Sequence, residues 1–524
     1  MPIRGPRTSR RELMRMAGAL ALASFARPVA AAGLLDRKPR FLDDPFSLGV
    51  ASGDPITDSV VLWTRLAPDP FEPAAMEPVP VVVDWEVAAD EGMRRTVRKG
   101  RAIAHPENAF AVHVDVRGLA PDRDYFYRFR AGDAESPVGR TRTAPLPGAA
   151  ISRLRFAFGS CQQYEMGYYG AYRDMVAQSP DLIIHLGDYI YEKPWDGGVR
   201  RHPWTEAYTL EDYRAYHALY KLDPDLQAAH RAAPWLVTWD DHEVDNDYAG
   251  LTSEDYEDPA AFLKRRTAAY RAYFEHMPLR RIATPHDGQV SLYQSVRYGD
   301  LLTFFVLDGR QYRSPEACRL LDNGHGRVVN ESECRALADP ARSLLGLDQE
   351  AWLYRGLRKT RTRWNVIAQQ LLFAPFDQGK GPDRGVYTDS WGGYQANRNR
   401  IIETIATRRP SNPVFIGGDI HSYWVTDIKR EPTNPESETV ATEFVGSSIT
   451  SPLDIYPAFE AALPRNPHVR FFEGAKRGYC LVTVTPKAMR ADLRTVADPT
   501  RPDTPSSTLA SFIVEDGRPG AVKA

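Results

Sequence analysis

The chain has 524 residues, of which 43% are hydrophobic and 26% are charged. These proportions are typical of soluble globular proteins and exclude a disordered, collagen-like or polytopic membrane chain. The formal net charge of −2 leaves no basic surplus for a nucleic-acid backbone, so we expect no stable nucleic-acid partner. Four cysteines are too few for a scaffold that depends on disulfides.

The first 32 residues predict an export signal. The paired Arg10 and Arg11 precede an apolar run at 16–25, and alanines follow at 30–32. This order resembles a twin-arginine signal peptide with its cleavage site. A basic tail or a membrane anchor is the alternative, but about ten apolar residues cannot cross a hydrocarbon core of about 30 Å. We therefore expect residues 1–32 to engage the twin-arginine export machinery, and the mature protein to be periplasmic or secreted without a transmembrane anchor.

Residues 43–145 predict a small all-β domain. Short runs such as SVVLWTRL, PVVVDWEV, AFAVHVDV and YFYRFRAG are separated by Asp, Pro and Gly. Alternation at this spacing favours a fibronectin-like or immunoglobulin-like sandwich. We expect this domain to have a structural or substrate-shaping role and no chemistry of its own.

Residues 152–500 predict a layered α/β domain, and residues 501–524 a C-terminal tail. Apolar runs such as RLRFAFGS, PDLIIHLGD, PWLVTWDD and NPVFIGGD alternate with helical segments such as NRNRIIETIATR. Strands that are apolar on both faces are typical of α/β sheets. Functional sites in such sheets form beyond the carboxyl ends of the strands.

Four of these strands are followed by potential metal ligands. In chain order the candidates are Cys161, then Asp188 and Tyr191, then the acidic loop 240–247, and finally Asp419 and His421. Alone, an Asp after Gly is usually a turn residue and a His is usually a hydrogen-bonded polar group. Carboxylates gathered at one edge, however, repel one another unless a cation neutralises them. The shared pattern therefore predicts a metal site.

The acidic loop does not fit an EF-hand. Counted from Asp241, position six would be Asn246 instead of Gly, and position twelve would be Thr252 instead of Glu. The apolar run PWLVTW directly before the loop indicates that Asp241 emerges at the end of a buried strand. We expect this loop to take part in metal binding or catalysis.

The motifs GDYIYE, WDDHEVDND, LDGRQYR and GGDIHS, together with GSC after a strand, resemble the PhoD-type alkaline phosphatases of the metallophosphoesterase superfamily. The likeness covers nearly the whole mature chain. The wider superfamily has Asn and His where this chain has Asp241 and His242, and a histidine where it has Asp419. The PhoD-type branch shows the same departures, which shift the ligand set toward oxygen.

The resemblance implies a metallophosphoesterase-like sandwich over 152–500 and two kinds of metal. It implies Fe³⁺ held by Cys161, Asp188, Tyr191 and His421, with Asp188 bridging to Ca²⁺ held by Asp241, Asp419 and Asn246. Carboxylates and carboxamides suit calcium, while imidazole, thiolate and phenolate favour a transition ion. The alternative for Cys161 is a small buried thiol.

The implied function is that of an exported metal-dependent phosphoesterase. Such an alkaline phosphatase or phosphodiesterase hydrolyses phosphate esters through attack by a metal-activated water or oxide. Asp241 and His242 are the candidate catalytic residues, with His242 donating a proton to the leaving group or polarising the phosphate. A structural hydrogen bond from His242 to a carboxylate is the alternative. In LDGRQYR, Asp308, Arg310 and Arg313 either support the site and face phosphate or form an internal ion-pair network.

Two other functions stay open. The same metal centre could act on phospholipids as a phospholipase D-like phosphodiesterase, which an apolar groove beside the site would favour. Alternatively, the protein could be a non-catalytic surface-binding protein braced by metals. Serine-esterase and kinase functions are set aside because neither a GxSxG nor a GxxxxGK[ST] motif occurs.

Two cysteines predict a disulfide. Cys318 and Cys334 are sixteen positions apart, and a bond between them would suit an oxidising compartment. Closing a loop of this size would stabilise the fold by about 3 kcal/mol. Cys480 in GYCLVTV is predicted to be a buried strand residue without a function.

Overall fold

The computed structural model describes residues 39–195, 197–320 and 324–524. The predicted signal peptide, residues 1–32, lies outside the described residues. Among the residues that are described, no helix combines the length and apolarity needed to cross a membrane.

The chain forms strands throughout the described residues. In chain order they are β1 (Val50–Ile56), β2 (Ser59–Arg65), β3 (Val81–Ala88), β4 (Thr96–Ala104), β5 (Ala111–Arg117), β6 (Asp124–Ala131), β7 (Ala134–Glu135), β8 (Gly139–Arg142), β9 (Leu154–Gly159), β10 (Leu182–His185), β11 (Trp235–Val237), β12 (Gln294–Tyr298), β13 (Leu302–Val306), β14 (Val328–Asn330), β15 (Trp364–Ala368), β16 (Gly385–Tyr387), β17 (Pro413–Gly417), β18 (Tyr423–Lys429), β19 (Thr439–Val445), β20 (Val469–Glu473), β21 (Arg477–Val484), β22 (Ala488–Val496), β23 (Ser506–Glu515) and β24 (Arg518–Lys523).

The α-helices lie between the strands from β9 onward, and some of them begin at side-chain caps. They are α1 (Gly170–Ala177), α2 (Leu210–Lys221), α3 (Pro224–Ala232), α4 (Pro259–His276), α5 (Leu347–Lys359), α6 (Gln395–Arg408) and α7 (Tyr456–Ala462). Thr209 and Asp212 form a capping box at the start of α2. Asp258 caps α4, which has a proline at its first position.

Two large sheets dominate the fold. The first has ten strands in the order β24, β23, β22, β21, β9, β10, β11, β1, β2, β5, and the second has seven in the order β12, β13, β15, β17, β19, β18, β20. They pack face to face through a buried apolar core that includes Phe156 and Ile184 from the first sheet and Val366 and Ile416 from the second. Helices α1 to α4 cover the outer face of the first sheet, and α5 to α7 cover that of the second.

The N-terminal strands divide between two sheets. Strands β3, β4, β6, β7 and β8 form a separate five-stranded sheet, whereas β1, β2 and β5 extend the ten-stranded one. Strand β1 runs parallel to β11, with Gly53 opposite Trp235. A core that includes Leu62 from β2, Val83 from β3 and Tyr127 from β6 joins the two layers. The N-terminal runs are therefore β-strands as expected, but one of their layers continues the sheet of the following segment.

The C-terminal residues correct the sequence-based prediction. Residues 501–524 were expected to be a tail, yet β23 and β24 complete the edge of the ten-stranded sheet. Phe512 and Val514 are each only 2% exposed and belong to the core between the two large sheets. The first residues of β23 are polar, so the sequence does not reveal a strand, although alternate residues in its second half face that core.

The predicted disulfide between Cys318 and Cys334 is present, with their Cα atoms 6.0 Å apart. Cys480 is a buried free thiol in β21, as predicted.

The integration of β23 can be tested by changing one core residue. We expect Phe512→Ala to lower the free energy of unfolding by about 3–5 kcal/mol, because it leaves a cavity in a closely packed core. Ser507→Ala, at an exposed position of the same strand, should change it by less than about 0.5 kcal/mol. Equal denaturant unfolding curves for the two variants would mean that this segment is a dispensable tail.

Candidate metal centre

The predicted ligands meet beyond the carboxyl ends of parallel strands from the two large sheets. Strands β9, β10 and β11 run parallel in the first sheet, and β17 runs parallel to its neighbours in the second. Two glycines allow their loops to approach. A Cβ on Gly187 would lie 2.5 Å from the Asp240 Cβ, and one on Gly418 would overlap the Ser160 side chain. The loops after all four strands therefore converge on one site.

One group of ligand atoms combines sulfur, oxygen and nitrogen. Ligand atoms of Cys161, Asp188 and His421 lie within 4.8 Å of one another. The Tyr191 hydroxyl donates to Asp188 Oδ2 at 3.2 Å and lies 3.3 Å from His421 Nε2. His421 Nδ1 pairs with the Pro452 carbonyl at 2.9 Å, so Nδ1 carries the proton and Nε2 presents its lone pair to the group. All four residues expected to hold the transition ion are thus together.

A second group consists of carboxylates centred on Asp241. Its ligand atoms lie within 4.8 Å of those of Asp188 and His242, of Asp240 and Asp419, and of Asp247 and Asp389. Asp241 Oδ2 also accepts the Asp247 backbone N–H at 2.7 Å. Asp188 belongs to both groups.

Arg310 and Arg313 form a buried ion-pair network behind these carboxylates. The Arg310 guanidinium donates to Asp240 and makes a bidentate pair with Asp389, both N–O distances being 2.9 Å. Arg313 Nη1 donates to Asp389 Oδ1 at 2.6 Å. Neither arginine side chain is accessible. Of the two interpretations of LDGRQYR, the internal network describes the observed contacts.

His242 is held between an acid and an aromatic ring. Its Nδ1 lies 2.7 Å from Glu192 Oε2, and its ring stacks on Tyr191 with centroids 4.1 Å apart. Burial opposes a charge on the imidazole, but Glu192, Asp241 and Asp188 outweigh burial and raise the pKa of His242 well above its usual value. The hydrogen bond from His242 to a carboxylate, which the sequence analysis gives as the alternative role, is therefore present. It occupies Nδ1 and leaves Nε2 available for another partner.

Glu243 holds two of the loops in register. Its carboxylate accepts backbone N–H groups of Asp188 at 3.0 Å, Tyr189 at 2.5 Å and Asp240 at 2.7 Å. Burial raises the pKa of Glu243 to about 8. Although it belongs to the acidic loop, its oxygens face the backbone, so Glu243 positions the ligands of β10 and β11.

Several site residues adopt a left-handed backbone. The φ angles are +57° for Cys161, +55° for Asp188, +64° for Asp419 and +50° for His421. This conformation costs free energy for residues other than glycine and persists only when the surrounding structure enforces it. Its recurrence after three of the converging strands indicates that the loops are shaped to aim these side chains.

The donor set fits metal ions. Asp188 Oδ1, Asp240 Oδ2 and Asp241 Oδ1 are buried oxygens without a hydrogen-bond partner. Burial raises the pKa of Asp188 and of Asp419 well above the usual value, and neighbouring carboxylates add to both shifts. Buried carboxylates that lack hydrogen bonds and repel one another are stabilised by a bound cation. These groups can therefore hold metal.

The sequence patterns do not predict every residue that lies at the site. Asp389 follows strand β16, and the residues before it, DRGVYT, form no apolar run. Glu192 ends the GDYIYE motif, but its position there gives no sign that it pairs with His242. Asn246 lines the same cleft, and its Nδ2 lies 3.4 Å from His325 Nδ1. Asp308 Oδ1 accepts from the Trp239 indole and the Arg310 backbone, which is a structural role.

The site opens into a cleft of about 350 Å³. Asp188, Asp241, His242, Asp419 and His421 line one part of it. The rest includes an apolar wall, which consists of Trp195, Leu372, Phe376, Ile420, Leu453, Ile455 and Phe459. A buried arrangement of carboxylate, thiol, phenol and imidazole groups beside such a cleft is a site where metal ions can meet a small anionic ligand.

Comparisons with known proteins agree with this geometry. The family described as PhoD-like phosphatase matches residues 156–493, and its N-terminal domain matches residues 30–145. Alkaline phosphatase D of Bacillus subtilis (strain 168) is 44% identical over 526 residues, covering 98% of this chain and 89% of that protein. A solved structure of PhoD, also 44% identical, superimposes with a TM-score of 0.87 over 93% of each chain.

These matches define a phosphoric ester hydrolase of mixed α/β fold, which confirms the class of enzyme expected from the motifs. The chain belongs to the PhoD-like phosphatase family.

The mixed-donor group can be tested by metal content. We expect Cys161→Ser and Tyr191→Phe to lower the transition-metal content of natively exported protein and any visible charge-transfer absorption, because each removes a donor. Cys480→Ser is the matched control, since it changes a buried free thiol outside the site. Elemental analysis and absorption spectra are the measurements. Unchanged metal in both site variants would refute the ligand assignment.

Proposed function

We propose that this protein is an exported, metal-dependent phosphoesterase that hydrolyses phosphate monoesters, phosphodiesters or both. The supporting observation is the convergence of Cys161, Asp188, Tyr191 and His421 with the Asp241 carboxylate group at one end of a cleft. Family membership supports the class of reaction.

The two groups differ in the ions that they favour. Thiolate, phenolate and imidazole around Asp188 favour Fe³⁺, whereas Asp241 and Asp419 favour Ca²⁺, with Asn246 as a neighbouring oxygen donor. Asp188 would be shared. When bound, such ions supply positive charge for the phosphoryl oxygens and lower the pKa of water.

The chain itself contributes proton transfer and orientation. Glu192 accepts from His242 Nδ1, which fixes the ring and keeps the imidazole protonated. Nε2 is then the atom that donates to a substrate oxygen, either on the leaving group or on the phosphoryl group. Asp241 holds the loop by accepting the Asp247 N–H through one oxygen and keeps the other for metal.

A second candidate function has its own observation. The apolar wall of the cleft suits the hydrocarbon part of a phospholipid, as a phospholipase D-like activity would require. Family membership argues against the third interpretation, a non-catalytic protein braced by metals.

The fold and location complete the proposal. The face-to-face sheets with helices on both outer faces support a metallophosphoesterase-like sandwich, and the five-stranded sheet packed on β1, β2 and β5 supports a fibronectin-like N-terminal module. The arginine pair in residues 1–32 supports export through the twin-arginine pathway to the periplasm or outside the cell.

Paired assays test the proposed reaction. We expect the exported protein to hydrolyse p-nitrophenyl phosphate, bis(p-nitrophenyl) phosphate or both, and to lose activity with a calcium chelator until calcium is restored. Asp188→Asn should lower kcat at least about 100-fold, because it weakens a donor shared by both groups. Asp287→Asn, at an exposed site, is the control.

A phosphatidylcholine assay in parallel distinguishes the lipid alternative. Metal-loaded protein that hydrolyses none of these esters would contradict the proposal.

The role of His242 can be read from the leaving group. If Nε2 donates to the departing oxygen, His242→Gln should lower kcat about 10²–10³-fold on an alkyl phosphate but far less on a p-nitrophenyl ester, whose leaving group needs no proton. Steady-state rates on the two substrates are the measurement. Equal losses on both would assign His242 to polarising the phosphate or to holding the loop.

A further inference from the structure

A second charged group lines the same cleft, and the groups that act on it electrostatically include none of the site aspartates. Arg398, on helix α6, lines the cleft and is only 4% exposed. Its Nε has no hydrogen-bond partner. Within residues 39–195, 197–320 and 324–524, its side chain makes no hydrogen bond or ion pair, in contrast to Arg310 and Arg313.

The acids nearest to Arg398 are engaged elsewhere. Glu331 and Glu443 act on it electrostatically, but neither reaches ion-pair distance. Glu331 accepts from Gln395 Nε2 at 2.7 Å and lies 3.6 Å from Arg384 Nη1. Glu443 accepts the backbone N–H groups of Phe373 at 2.6 Å and Ala374 at 3.0 Å. Among the described residues, no acid therefore forms an ion pair with the Arg398 guanidinium.

An unpaired buried cation is costly. Burial lowers the pKa of Arg398 to about 10, so the guanidinium is still charged at neutral pH. Taking a charge out of water without a partner destabilises the fold, and this cost is reduced when a ligand supplies the counterion. Arginine is well suited to this role because its planar fork matches carboxylate and phosphate oxygens.

We propose that Arg398 binds a second anionic group of the substrate, a carboxylate or a phosphate, while the ester that is cleaved lies at the Asp241 end of the cleft. This inference rests on the proposed phosphoesterase function. The preferred substrates are then phosphate esters whose alcohol carries a second anion. The chain that joins the two groups passes the apolar wall, of which Phe376 and Phe459 are part.

A matched substrate series tests this proposal. The substrates are p-nitrophenyl alkyl phosphodiesters whose alkyl chain ends in a methyl, a carboxylate or a phosphate, over several chain lengths. We expect wild-type kcat/KM to favour an anionic end by about tenfold at the best length, as for one charge-assisted hydrogen-bonded pair. Arg398→Gln should bring the ratio close to one, and Arg398→Lys should keep part of it. Arg408→Gln, an exposed change on the same helix, should keep all of it.

Binding provides a readout that does not depend on turnover. Calorimetric titration of wild type, R398Q, R398K and R408Q compares non-hydrolysable alkylphosphonates with and without a terminal carboxylate, and thermal melts check folding. No anion preference of the wild type at any chain length, or a preference that survives in R398Q, would overturn the inference. Failure to hydrolyse any substrate, with anion preference retained in binding, would instead count against the proposed function.

Discussion

The site depends on the concentration of buried negative charge beyond the carboxyl ends of strands from the two large sheets. Six described aspartates lie there: Asp188, Asp240, Asp241, Asp247, Asp389 and Asp419. Three cationic side chains face them, namely Arg310, Arg313 and protonated His242. Because carboxylates in a low-dielectric interior repel one another, this excess of acids requires further positive charge. Arg310 and Arg313 satisfy Asp389, whereas Asp188 Oδ1 and Asp241 Oδ1 accept no hydrogen bond within the described residues, although Arg310 Nη2 lies 3.5 Å from Asp241 Oδ1.

The surrounding structure holds these acids at fixed positions despite their repulsion. Glu243 ties the loops after β10 and β11 through three backbone hydrogen bonds, and Gly187 lets the same loops touch. The strained backbone at Asp188 and Asp419 is maintained by the packed strands that precede them. The core between the sheets therefore stabilises a constellation that would not persist in an isolated loop.

Sequence patterns were informative where a ligand follows an apolar run in the sequence. The runs before Cys161, Asp188, Asp241 and Asp419 are strands β9, β10, β11 and β17, and their carboxyl ends converge because parallel strands share an edge. Asp389 escaped because the residues before it, DRGVYT, form no apolar run. The prediction of a tail over 501–524 was wrong because polar residues interrupt the apolar pattern of β23. Its pairing with β22 is visible only in the folded structure. Likewise, the pairing of β1 with β11 links residues far apart in the chain and leaves no local signature.

An acid-lined site cannot recognise an anionic phosphate by its own charges. Asp188, Asp241 and Asp419 would repel the phosphoryl oxygens unless bound cations reverse the local potential. Metal loading and substrate binding are therefore coupled at this end of the cleft. Arg398 is different, because its charge is fixed in the protein and independent of metal. The cleft is thus lined by a group whose attraction for anions depends on metal and by an arginine whose attraction is built into helix α6, and a substrate with two anionic groups would experience both.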